Sequence, residues 1–269
     1  MKRRLQGIFR ILVIGMSMLF ATQTVNAAMS KQERAAKIKL ARAAYGTSMM
    51  AETITKAYLY AGNKVGVRQA TQELQVSLKT FQEKFNILDE SIGDPKSKNL
   101  LLFMKMSFDE LRDITKQPYS LDNAQIALDL SATITEGAVF VANDIKKSMN
   151  YKDKNTLNGA RVHLESIAKY YMAYQAGIKD DNTIKLMKET VDIASNTIDS
   201  FAKDPRNTVA MNQRMNKVQR LWGVVYKFYL DIDKGGLPFI VYKTTRDLNK
   251  NIRLYSKDMS KVIKGKVSK

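Results

Sequence analysis

The chain carries one helical segment twice, and this repeat constrains its fold more than any other feature. Residues 48–59 and 161–172 align at a constant offset of 113 positions. Such a repeat indicates that one supersecondary unit is used twice, so it must be recognised before single helices are assigned. The sequence therefore predicts two similar modules. Four residue types recur in register, which are Glu52, Ile54, Lys56 and Tyr58 in the first copy and Glu165, Ile167, Lys169 and Tyr171 in the second.

Apolar residues recur every three or four positions almost throughout, which is the period of an amphipathic helix, and no segment alternates as a strand would. Clusters of Gly, Pro, Asn and Asp interrupt this pattern and mark turns. Short connections make consecutive helices antiparallel, so we predict an all-α fold of two tandem up-down four-helix bundles, over residues 28–150 and 151–269. End-to-end stacking through segment 149–156 is one arrangement that these lengths allow. The predicted helices cover residues 31–61, 66–92, 97–116, 120–149, 156–177, 182–203, 206–233 and 237–264.

The first 27 residues have the pattern of a secretory signal peptide. A basic N-terminus precedes an apolar run over residues 11–21, and Val25 and Ala27 supply the small residues expected before a cleavage site. A retained membrane anchor is the alternative, but the run is shorter than the roughly 20 residues that span a bilayer. We expect cleavage after Ala27 and a soluble periplasmic protein.

Positive charge is concentrated at the end of the chain. The formal net charge is +18, and residues 28–150 contribute only +3 of it, whereas residues 151–269 contribute +11. A local excess favours a contact surface for an anionic lipid or an acidic partner, although an ordinary solvated helix face has the same pattern. Nucleic acid is disfavoured because aromatic residues are not interleaved with the basic ones. The candidate partner or membrane surface comprises Lys243, Arg246, Lys250, Arg253, Lys257 and Lys261.

Nothing in the sequence indicates catalysis, a metal or a cofactor. The chain has no cysteine, and its one histidine, His163, lies on an apolar helical face where a core residue is expected. No glycine-rich phosphate loop and no acid–base pair is apparent. We therefore predict a non-enzymatic protein without metal or cofactor.

The repeated charges are expected to face solvent. In each copy a glutamate precedes a lysine by four residues, which is the favourable order for an exposed ion pair worth a few tenths of a kcal/mol. A helical wheel places Ile54 and Tyr58 on the inward side and directs Glu52 and Lys56 away from it.

Both copies also carry residues of a known signature. Met49 and the run Thr55-Lys56-Ala57-Tyr58-Leu59 match it in the first copy, and Arg161, Lys169 and Tyr171 match it in the second. The segment resembles the signature of the sensor domain of type IV pilus methyl-accepting chemotaxis transducers (PilJ-like), also found in NarX-like nitrate-sensing kinases. The chain is similar as well to the helical bimodular sensors of chemoreceptors. The resemblance implies a stand-alone sensor module that works with a membrane chemoreceptor or histidine kinase, and it implies a homodimer.

The departures from the signature concern its arginines. In the nitrate-sensing relatives these arginines contact the anion, which suits a planar bidentate donor. Here Ser48 and Thr53 stand at the arginine positions of the first copy, and the second copy keeps Arg161 but has Ser166. The resemblance therefore implies a ligand site formed by Arg161, Ser48, Thr53 and Ser166 that is altered from the nitrate site.

Two functional hypotheses follow. The first is a periplasmic, non-enzymatic sensor module that binds a small anion or organic acid between its helices and signals through a separate membrane receptor or kinase. The second is an envelope adaptor or scaffold that docks to anionic lipid or an acidic partner through its basic C-terminal helix.

Overall fold

A computed structural model describes residues 29–150, 157–234, 236–263 and 265. The predicted signal peptide (residues 1–27) and most of segment 149–156 lie outside the described residues. The chain divides into two compact units, Met1–Arg34 and Ala35–Lys269. In the described part of the first unit, Ser30 and Glu33 form a reciprocal capping box: each side chain accepts a hydrogen bond from the other residue's backbone N–H, at 3.1 and 2.9 Å.

The regular secondary structure of the described residues is entirely helical, so the all-α prediction is confirmed. The helices begin and end within three residues of the predicted positions. A short 3₁₀ helix, Ile232–Lys234, precedes the last α-helix. The α-helices are α1 (Lys31–Gly62), α2 (Val67–Ser91), α3 (Pro95–Ile114), α4 (Leu121–Lys147), α5 (Leu157–Gln175), α6 (Asp181–Ala202), α7 (Val209–Leu230) and α8 (Pro238–Ile263).

Side-chain caps explain where several helices begin. Asp94, Ser120, Asp180 and Thr208 each accept a hydrogen bond from the backbone N–H three residues further on, which satisfies a donor that the first turn leaves unpaired. At α6 the cap is Asp180, which accepts from Thr183 N–H at 2.8 Å. The start of α7 was predicted at residue 206, but it lies at Val209 because Thr208 provides the cap.

Apolar side chains form three clusters. One gathers residues of α5 to α8, and a second gathers residues of α1 to α4. The third contains Leu59 and Tyr60 of α1, Met172 of α5 and Tyr242 of α8, so it joins helices of both halves of the chain. The arrangement as two tandem bundles stays a prediction, since residues from Ala35 onward form one compact unit.

The repeat extends into the backbone at the ends of α1 and α5. Val65 N–H donates to Tyr60 O at 2.9 Å, and Ile178 N–H donates to Ala173 O at 3.0 Å, which is the same bond at an offset of 113. Lys64 and Gly177, also 113 residues apart, both have positive φ angles of 60° and 107°. Helices α1 and α5, which carry the two copies of the signature and are called the signature helices below, therefore both end in a left-handed turn.

The last residue of the helix differs between the copies by an exchange of small and large residues. A Cβ on Gly62 would lie 2.1 Å from the Tyr119 ring, so only glycine fits there. At the equivalent position of α5, Gln175 is large, and its neighbour Gly236 is small: a Cβ on Gly236 would lie 2.6 Å from Gln175 Cδ. Each contact keeps one glycine, which allows both helices to approach the segment that precedes the fourth helix of their half.

Helix α4 is long and apolar enough to cross a membrane by length and composition, and 44% of its most apolar stretch is buried within the protein. Its buried face, which includes Ile134, Ala138 and Val141, belongs to the same apolar cluster as residues of α1 and α3. A helix packed into a core by one face passes the same test of length and hydropathy.

Candidate functional site

The charged residues of the repeat are buried, so the prediction that they face solvent is wrong. Glu52, Lys56, Glu165 and Lys169 are exposed by only 2%, 0%, 5% and 0%. The helical-wheel expectation failed because α1 and α5 are surrounded by other helices. From Met50 to Tyr60 every residue of α1 is buried, and residues 164–169 of α5 are buried as well. A helix with no solvent face leaves no outward side for an ion pair.

The four charges pair across the repeat, not within each copy. Lys169 Nζ lies 2.9 Å from Glu52 Oε2, and Lys56 Nζ contacts Glu165 Oε2. Each glutamate of one signature helix thus meets the lysine of the other, and α1 and α5 run in opposite directions at this contact. The repeat therefore supplies two reciprocal ion pairs, Glu52–Lys169 and Lys56–Glu165. Together they form a buried layer between α1 and α5, which we call the central layer.

Hydrogen bonds complete the surroundings of both glutamates. Glu52 accepts from Thr135 Oγ1 of α4 and from Ser166 Oγ of α5, both at 2.8 Å. Glu165 accepts from Asn249 Nδ2 of α8 at 2.6 Å. Because a buried charge is costly unless it is paired and hydrogen-bonded, these donors are what make the central charges tolerable. They also tie the fourth helix of each half to its signature helix.

Electrostatic pairing decides the protonation of the two lysines. Burial by itself lowers the pKa of Lys56, but the carboxylates of Glu165 and Glu73 outweigh it and raise the pKa above its usual range. Burial likewise opposes the charge of Lys169, and Glu52 reverses the effect, so the pKa of Lys169 is raised. Burial raises the pKa of Glu165, and the charge of Lys56 opposes that rise. Both lysines are therefore charged at neutral pH.

An open cleft of about 700 Å³ lies beside this central layer, between α1, α2, α5 and α8. Glu165 lines the cleft, and so do Glu73 of α2 and Asn249 of α8. Glu73 holds Lys56 at 3.2 Å and accepts a hydrogen bond from Tyr242 at 2.9 Å. Two of the residues that line the cleft, Glu73 and Glu165, are therefore direct partners of the buried Lys56. The volume falls in the range of small-molecule sites, about 300–1,000 Å³.

Five cations line the cleft, and within the described residues none has a carboxylate within 4 Å. They are opposed by three carboxylates, of which Glu73 and Glu165 are engaged by Lys56. Of these three carboxylates, Asp247 alone has no cation within 4 Å among the described residues. The cleft therefore carries a surplus of positive charge. The five cations are Arg161, Lys243, Arg246, Lys250 and Arg253.

The structure separates the four predicted ligand residues. Arg161 and Thr53 line the cleft, and the Thr53 hydroxyl donates to Met49 O at 2.7 Å. Ser166 instead donates to Glu52 in the central layer. Ser48 is fully buried, and it does not line the cleft. Sequence comparison could not distinguish these positions because a half-turn of helix separates a lining residue from a core residue.

The predicted basic surface of α8 is exposed, as expected, but four of its six residues turn out to line the same cleft as Arg161. Lys257 and Lys261 do not line it, and Lys261 pairs with Asp258 at 3.4 Å. Arg246 also packs over the Tyr242 ring, 5.6 Å from its centroid. Two sets of residues that the sequence assigned to separate functions thus meet at one site.

Sequence analysis missed Glu73 and Asn249. Neither lies in the repeat, and a single Glu or Asn on an amphipathic helix has no distinguishing pattern.

The half-buried His163 remains as a neutral ring, since burial lowers its pKa, with Glu52 opposing the shift. Within the described residues, no group of three or more His, Cys, Asp or Glu side chains could hold a metal ion.

Comparison with known proteins finds no matching family model, no matching curated protein and no matching solved structure.

Proposed function

We propose that this protein is a non-enzymatic sensor module that binds a small anion or organic acid in the cleft. The observation that carries the proposal is Arg161. Its side chain lies largely within the cleft wall, and its Nε is buried without a hydrogen-bond partner in the described part of the chain. A buried guanidinium donor without an acceptor is costly, and an anion in the cleft would satisfy it.

The charge of the cleft supports the same class of ligand. Burial lowers the pKa of Arg161; Glu165 opposes this shift, and the charge of Arg253 of α8 adds to it. Like charges gathered around an open cleft repel one another, and a bound anion would relieve this repulsion. No step of catalysis is part of the proposal, because Lys56 engages two of the three carboxylates that line the cleft.

The resemblance to PilJ-like and NarX-like sensors supports a role in signalling. We propose that the module acts in the periplasm, that its first 27 residues direct export, and that a membrane chemoreceptor or histidine kinase reads the bound state. Nitrate itself is disfavoured, since Ser48 is buried outside the cleft and the cleft is far larger than a four-atom anion requires.

Thermal denaturation with an anion panel tests the proposal. Nitrate, sulfate, phosphate and small carboxylic acids are each added to the mature protein. A ligand at one hundred times its Kd stabilises the native state by about 2.7 kcal/mol, and at about 2–4 °C per kcal/mol for a chain of this size the Tm rises by about 5–10 °C. A panel without any response contradicts the proposal.

Two variants locate the effect. Arg161→Gln removes the buried donor and is expected to abolish the response to the active anion. Lys257→Gln is the matched control, because it removes an exposed cation of α8 that does not line the cleft. Equal responses in both variants would place binding elsewhere.

The envelope adaptor is the second candidate, and the exposure of all six basic residues of α8 favours it. It predicts salt-sensitive binding to anionic vesicles that is lost when Lys250, Arg253 and Lys257 are reversed in charge. Binding that is unchanged in this triple variant eliminates the adaptor.

A further inference from the structure

Asn249 gives the cleft a hydrogen-bond acceptor that the protein does not use. Its residue is 6% exposed, and its Oδ1 has no partner among the described residues, although Nδ2 donates to Glu165 Oε1 at 2.6 Å. The orientation of this amide is fixed, because a carboxylate that pairs with Lys56 can only accept and would repel Oδ1. Oδ1 therefore stays an unpaired acceptor on a residue that lines a cleft rich in cationic donors.

The unused acceptor and the unused donor lie close together. Arg161 precedes Glu165 by one turn of α5, and side chains at this spacing are neighbours about 5–6 Å apart at Cβ. Asn249 contacts Glu165 directly. The side chains of Arg161 and Asn249 thus lie on either side of Glu165, and both residues line the cleft, so we expect one small molecule to contact both. Such a molecule carries an anionic group and, a few bonds away, a hydroxyl or other donor.

The number and type of the cations indicate a group with more than one charge. Three of the five are arginines, whose planar guanidinium groups bind phosphate oxygens bidentately. A phosphomonoester carries about 1.5 to 2 negative charges at neutral pH and three strong acceptor oxygens. A single carboxylate has one charge and two oxygens, so it would leave most of these donors unused.

Resting on the proposed function, we infer that the cleft takes a phosphorylated polyol such as a sugar phosphate, with its phosphate at Arg161 and the arginines of α8 and one hydroxyl donating to Asn249 Oδ1. The ligand can be free or the phosphorylated sugar headgroup of a lipid. Either source offers the same chemistry to the cleft.

Isothermal titration of the mature protein with matched ligands tests the inference. Glycerol 3-phosphate and ethyl phosphate have the same acid group, and only the first has hydroxyls; glycerol has hydroxyls and no phosphate. We expect glycerol 3-phosphate to bind about tenfold more tightly than ethyl phosphate, the effect of one hydrogen bond of about 1–1.5 kcal/mol, and glycerol not to bind. Asn249→Ala is expected to remove the preference while retaining ethyl phosphate binding.

A second variant protects the test against misfolding, because Asn249 also supports Glu165. Arg246→Gln changes an exposed cation of the cleft and is expected to weaken both phosphates about equally. Lys257→Gln, outside the cleft, is expected to change neither. Vesicles carrying a phosphorylated sugar lipid, compared with vesicles of phosphatidylcholine alone, distinguish the lipid headgroup from the free ligand as the source.

The outcomes separate this inference from the proposed function. Equal affinity for the two phosphates, or no phosphate binding while an organic acid still raises the Tm, overturns the phosphorylated polyol and leaves the anion sensor standing. Failure of every anion overturns both. A preference that persists in Asn249→Ala also contradicts the inference, because the hydroxyl must then be recognised by another group.

Discussion

The reciprocal ion pairs allow a sharp prediction about stability. Lys169→Met removes the cation that faces Glu52 in a fully enclosed layer. Breaking a buried ion pair by removing one partner costs about 3–5 kcal/mol, because the other charge stays buried without compensation. Glu52 keeps its hydrogen bonds from Thr135 and Ser166, so we expect the lower end, about 3 kcal/mol.

A double-mutant cycle isolates the contribution of the pair. Glu52→Gln combined with Lys169→Met removes both charges, and replacing both members of a buried pair is often close to neutral. We expect the double variant to be within about 1 kcal/mol of the parent, and hence a coupling energy of at least about 2 kcal/mol. Urea unfolding followed by circular dichroism measures all four proteins, and thermal unfolding should place Lys169→Met about 6–12 °C below the parent.

An exposed ion pair of the same chain is the matched control. Lys105 Nζ lies 2.7 Å from Asp109 Oδ2 at i, i+4 on α3, with both side chains at least one third exposed. Its coupling energy is expected to be only about 0.3–0.5 kcal/mol. The burial argument is refuted if Lys169→Met costs no more than Lys105→Met, or if the two cycles give the same coupling.

Two further predictions concern packing and alkaline pH. Gly62→Ala is expected to destabilise the protein by about 1–3 kcal/mol, since its Cβ would overlap the Tyr119 ring. A Cβ at Gly223 has nothing within 4 Å, so Gly223→Ala is expected to stabilise α7 by about 0.5–1 kcal/mol. The urea midpoints of both variants check this, and equal effects would contradict the contact between Gly62 and Tyr119. Above pH about 10 the unfolded state releases tyrosine and lysine protons that the native state retains. Burial, with the charge of Asp204 adding to it, raises the pKa of Tyr255 to about 12, and the pKa of Lys169 is also raised. Stability that is complete below pH about 10 is therefore expected to fall as pH rises through these native values. The tyrosinate absorbance of Tyr255 and the other buried tyrosines is expected to appear on unfolding, and ionisation of all tyrosines before unfolding argues against their burial.

Helix positions were largely predictable from the sequence. Apolar spacing and turn residues gave eight helices within three residues of their observed ends, because periodicity and capping are local properties. The repeat at an offset of 113 was visible as well, and the turns after α1 and α5 have a matching backbone hydrogen bond at the same offset. The start of α7 differs from the predicted residue 206 because Thr208 provides its cap.

Only the tertiary structure determines which side of each helix is buried. Glu52 and Lys56 stand four residues apart, as do Lys105 and Asp109 of an exposed ion pair, although in the opposite order. The spacing alone therefore cannot tell a surface ion pair from two halves of a buried network. Only the contact between α1 and α5 decides it, since each lysine finds its glutamate 109 or 117 residues away.

The candidate site divides in the same way. The resemblance to the sensor signature indicated Arg161, and the local excess of positive charge indicated the basic face of α8, because both are properties of the sequence. Their meeting in one cleft, with Asn249 as an unused acceptor, depends on four helices that come from distant parts of the chain. Apolar periodicity determined that the protein would be helical, and composition that it would be basic. The packing of α1, α2, α5 and α8 decided which of the described charges are paired, because pairing requires contact in space.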